Sequence, residues 1–104
     1  MTSEELRALI EREIGDDWGR SNAHGVDLKR CLVTPVLTEF NDGGSPPIVS
    51  QLWLVLKERP EDGSGYKIVY CDQMKMFGLA VPGSPRPTAV SFYHGGFLEA
   101  FNAM

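Results

Sequence analysis

His94-Gly95-Gly96, within the stretch SFYHGGFLEAF at residues 91–101, is where residue types point most directly to chemistry. Two glycines ahead of a helical pattern present backbone N–H groups at the positive end of a helix dipole, where phosphate or carboxylate is favoured. A histidine beside them adds a donor. Three uses fit: an oxyanion hole, an anion cradle, or a sharp turn with no ligand. The first also needs a nucleophile, presented as G-x-S-x-G between strand and helix. Gly43-Gly44-Ser45 and Gly63-Ser64-Gly65 come nearest, and both lie in turn sequences of a different form. The turn is the favoured reading and the cradle its alternative. A turn predicts that Gly95 or Gly96 holds a backbone conformation costly for other residues.

Cys31 or Cys71, paired with His24 or His94, would supply a thiol nucleophile and its base. Both cysteines fall in apolar, strand-like sequence, where burial raises the thiol pKa and blunts it. We expect two buried free thiols, although neighbouring strands would leave a bridge geometrically open. No C-x-x-C, H-x-x-x-H or calcium-loop spacing occurs, so neither a metal nor another cofactor is expected. Trp53 and Tyr93 belong to an aromatic set that serves either a core or a contact surface.

The elements that must position these groups follow from composition and period. One hundred and four residues make one domain, 42% apolar content suffices for one core, and no stretch reads as an interdomain linker. A net charge of −4 with scattered basic residues argues against nucleic acid, whose phosphates need a clustered Lys/Arg surface. The first residues lack the form of a signal peptide, and the longest apolar run, LWLVL at 52–56, is too short to span a bilayer. A soluble, cytoplasmic protein is expected.

Leu6, Leu9, Ile10 and Ile14 form one helical stripe over residues 3–14, opened by a Thr2/Glu5 capping box and stopped at Gly15. Residues 16–27 read as a loop with Trp18 folded back on the core. From Leu28 the period becomes two. Strands are expected at 28–40, 48–58, 66–72 and 76–81, with a short extended piece at 88–92. Turn clusters at 41–47 and 59–65 separate the first three, and a proline-rich loop follows at 82–87. Pro35 cannot donate to a ladder and so demands an edge or a bulge. Phe97, Leu98, Phe101 and Met104 share one face of a short final helix that must dock to persist.

This predicts an α+β fold: an N-terminal helix, an antiparallel four- to five-stranded β-meander, and a short C-terminal helix packed on one sheet face. Leu52, Leu54 and Leu56 alternate with Trp53 and Val55, so both faces of that strand call for cover. We therefore expect a non-enzymatic protein–protein interaction module working through a partly apolar sheet face. Its partner is another protein or a second copy, and an immunity- or inhibitor-like role against a basic surface suits its acidity. The alternative is a small-ligand or anion-binding domain, or a weak enzyme, with its site near His94, Gly95 and Gly96. Where Trp53 and Tyr93 point separates the two.

Overall fold

The computed structural model describes residues 1–41, Gly44, Pro46, 48–82 and 88–104, with backbone alone for 88–94. The predicted turn at 41–47 and the loop at 82–87 therefore lie mostly outside the described residues.

Thr2 and Glu5 form the expected capping box. The Glu5 N–H donates to Thr2 Oγ1 (3.1 Å) and the Thr2 N–H to Glu5 Oε1 (2.8 Å). Helix α1 (Ser3–Ile14) then buries Leu6, Ile10 and Ile14. It ends where Gly15 takes φ 59°, a left-handed conformation natural to glycine. Trp18 in the following loop packs on the core, as expected.

The first strand does not begin at Leu28. Asp27 accepts from the Lys29 N–H (3.1 Å) and so caps a single helical turn, α2 (Leu28–Cys31). Aspartate's short carboxylate outcompetes the two-residue period here. Leu28 and Cys31 both bury on that turn, and Cys31 is therefore helical rather than on a strand.

Strands β1 (Leu32–Asn41), β2 (Val49–Lys57), β3 (Lys67–Cys71), β4 (Met76–Val81) and β5 (Thr88–His94) pair antiparallel in chain order. That is the predicted meander, and α3 (Phe97–Ala103) closes the chain against it. One parallel bridge, Asn41 to Thr88, joins the first strand to the last and rolls the sheet into closure, which the spacing did not foretell. Register shifts on β1–β2, β2–β3 and β4–β5 supply the added twist that curling requires.

Pro35 sits inside the first shift, between Leu32 and Val36, as its missing N–H demands. Helix α1 lies over this irregular stretch. Ser3 Oγ donates to the Pro35 carbonyl and Arg7 Nη1 to the Val33 carbonyl, satisfying acceptors that the bulge takes out of the ladder.

The two sheet faces carry separate clusters. Val55, Leu56, Ile68, Tyr70, Phe77 and Leu79 meet α1 and α3 in the larger one. Phe40, Leu52, Leu54, Val69 and Ala80 form the smaller one on the inner side of the curl. The face that asked for cover is thus covered by the sheet itself, with Leu52 and Leu54 each 6% exposed. Leu56 parts company with them, because the shift between Leu54 and Leu56 turns it to the helix side.

Candidate functional site

Residues 95–97 turn the chain from β5 into α3, and Gly96 is that helix's N-cap. Its φ of −125° is ordinary extended backbone, and Gly95 is not left-handed either. The expectation of a strained glycine is therefore wrong. Close approach explains Gly96 instead: a Cβ there would overlap the Glu13 carboxylate. Glu13 reaches across from α1 and accepts from the Phe97 N–H at 2.8 Å and the Leu98 N–H at 3.2 Å. An anion does occupy the helix N-terminus, and the chain supplies it.

Glu13 and Gly96 should consequently be coupled. Glu13→Ala removes two charge-assisted bonds at a helix start and is expected to cost about 1 kcal/mol. Gly96→Ala should cost about as much, since the flexible carboxylate swings away and the same bonds are lost. The double variant should cost little more than either single one, giving a coupling of about 1 kcal/mol in urea unfolding of the four proteins. Additive losses would show that Gly96 has a role apart from Glu13.

Tyr93 and His94 have side chains outside the described residues. The backbone still places them: His94 is opposite Phe77, Phe77 opposite Tyr70, and Tyr70 opposite Trp53. Counted along the sheet, three strand pairings lie between His94 and Trp53.

Among the described residues neither cysteine is bonded to His24. Cys31 is buried and donates its thiol to the Glu58 carbonyl (3.5 Å), and burial pushes its pKa up. His24 Nδ1 lies 3.1 Å from the Glu58 carboxylate, whose other oxygen accepts from the Tyr66 N–H (2.8 Å). Glu58 thus ties the loop at 16–27 to the hairpin after β2, with the His24 ring against Tyr66. Both thiols are free. Cys71 is only half-buried, however, which corrects the expectation of two buried thiols. It ends β3 at the lip of a groove, packed against the smaller cluster. Among the described residues no three His, Cys, Asp or Glu side chains group as metal ligands.

That groove has a volume of about 560 Å³. It forms because β2 runs on to Val49 while β3 stops at Cys71, leaving residues 49–51 beside the turn at 72–75. Leu37, Ile48, Trp53 and Met74 supply apolar wall; Asn41, Gln51 and Asp72 supply polar groups. Trp53 is half-buried, with Leu37 directly opposite it on β1. Leu37, Ile48 and Met74 are 48%, 67% and 48% exposed, an unusual amount of large apolar side chain in one place.

Sequence reasoning singled out Trp53 and missed its neighbours. Leu37 and Ile48 fall in sequence that reads as strand, and nothing in its pattern marks them as exposed. Glu13 gave no signal at all, being a polar residue on the wet side of a helix. Comparison of the chain with protein-family models, curated proteins and solved structures finds no match in any of the three. Among the described residues no helix is long and apolar enough to cross a membrane.

Proposed function

We propose that this chain is a non-enzymatic domain that binds a partner protein through the groove beside Trp53. The observation carrying this reading is the grouping of exposed Leu37, Ile48 and Met74 around one concavity. Isolated surface apolar residues are ordinary, whereas several around a groove with a tryptophan in its wall resemble the anchor region of an interface. The net charge of −4 favours a basic partner surface and faster encounter with it. The second reading, a small-ligand domain, has the groove's volume in its favour, which lies within the usual range for such sites.

Leu37→Glu and Ile48→Glu test the proposal. Both side chains are already wet, so unfolding midpoints should stay within about 0.5 kcal/mol of the parent. The parent used as bait in its native extract should retain a protein that both variants lose, with at least tenfold weaker binding of the purified pair. Equal retention by parent and variants would refute the groove as the contact. A small apolar molecule recovered from the parent and absent from the variants would favour the second reading.

A further inference from the structure

Lys57 and Lys67 stand directly opposite each other on β2 and β3, away from the groove. Facing residues of an antiparallel pair have Cβ atoms about 5 Å apart, and like charges so placed repel. Lys67 is also the one charged residue buried among those described, at 7% exposure, and Lys57 is half-buried. An ammonium group carries three donors. One of those on Lys67 goes to the Gly63 carbonyl at 2.7 Å, which holds the amine beneath the hairpin at 58–66. Among the described residues neither lysine meets a carboxylate, although the chain has 14 acidic residues to 10 basic ones.

A buried cation with a second cation facing it is costly unless something compensates. Burial, and then Lys57, push the Lys67 amine below its ordinary pKa. Side-chain alternation puts Lys67 on the same face of β3 as Val69, at the rim of the smaller core cluster. Apolar surroundings there would strengthen any charge-assisted bond the amine makes. The Glu13 carboxylate shows how this chain compensates donors elsewhere; here no described side chain does so. We propose that Lys57 and Lys67 form an anion-binding site beneath the 58–66 hairpin, taking a small oxyanion whose oxygens bridge the two amines. Phosphate and carboxylate share that chemistry.

Melting curves of the full chain in inorganic phosphate, in acetate and in chloride at matched ionic strength test it. A saturable rise in Tm beyond that in chloride is expected, since a ligand that binds only the native state stabilises it by mass action. A rise with phosphate alone assigns a phosphate ligand; one with acetate as well assigns the wider carboxylate class. Lys57→Gln should weaken the apparent affinity about tenfold, as loss of a charged hydrogen bond does. Lys67→Met should abolish the response. As an independent readout, the anion should raise the titration midpoint of the Lys67 amine, followed by NMR at its ε-carbon. The same Tm in all three salts, or a phosphate response kept intact by Lys57→Gln and Lys67→Met, would overturn the site. Should Lys67→Met not fold, the amine titration and Lys57→Gln decide it.

Discussion

Phe97→Ala is expected to destabilise the fold by about 3–5 kcal/mol, the cost of truncating a buried phenylalanine. The side chain is fully buried, edge-on to Phe77 (centroids 5.8 Å apart) and stacked near Phe101 (6.3 Å). Helix α3 has seven residues, too few to persist undocked, so the loss reaches beyond one ring. For a domain of this size each kcal/mol moves Tm by roughly 4–8 °C, and a drop of more than about 10 °C should appear in calorimetry. A loss below about 1 kcal/mol would mean that α3 is no part of the cooperative core.

Asn22 should give the next largest effect. Its Nδ2 donates to the Phe101 carbonyl (2.9 Å), and its Oδ1 accepts from the His24 and Val26 N–H groups (3.0 and 3.2 Å). One side chain thus shapes the loop at 16–27 and fastens it to the end of α3. Asn22→Ala is expected to cost about 2 kcal/mol, as these bonds and a weaker one from Nδ2 to Met104 Sδ go and partly buried partners lose theirs. Asn22→Asp keeps both acceptor bonds but sets a carboxylate against the Phe101 carbonyl. It should therefore cost at least as much at neutral pH and recover part of the loss as acid protonates the aspartate. Chemical unfolding at pH 7 and pH 4, referenced to the parent at each pH, checks both variants. A harmless Asn22→Asp would show that the Phe101 bond contributes nothing.

Periodic segments were legible in the sequence, and interactions across the chain were not. The α1 stripe, the Thr2/Glu5 box and β4 at Met76–Val81 follow from local pattern, and Pro35 announced the bulge that α1 covers. Asp27 misled because a capping residue and an apolar alternation overlap at 27–31, and the cap prevails. The inner cluster of Leu52 and Leu54 depends on how far the sheet curls, which bulges in several strands decide together. For the candidate site, Trp53 was identifiable by type, while the groove arises from a difference in strand length between β2 and β3. The histidine-glycine turn was read correctly as a turn and for the wrong cause. Its glycine makes room for a carboxylate 83 residues earlier in the chain, a relation that no window along the sequence can contain.

The Glu13 clasp also bears on how the chain reaches its fold. Its two bonds span 84 and 85 residues of sequence, and the Asn22 bond to Phe101 spans 79. Such contacts return free energy only after nearly the whole chain has been looped, and loop closure costs entropy before any bond forms. Consecutive strand pairs, by contrast, close through short connections and are entropically cheaper to form. The order this favours has the meander assembling first, with Tyr70, Phe77 and Leu79 left uncovered until α3 arrives. Until then the larger core is an open apolar face, and the interval before the two helices clasp is when the chain is most exposed to aggregation.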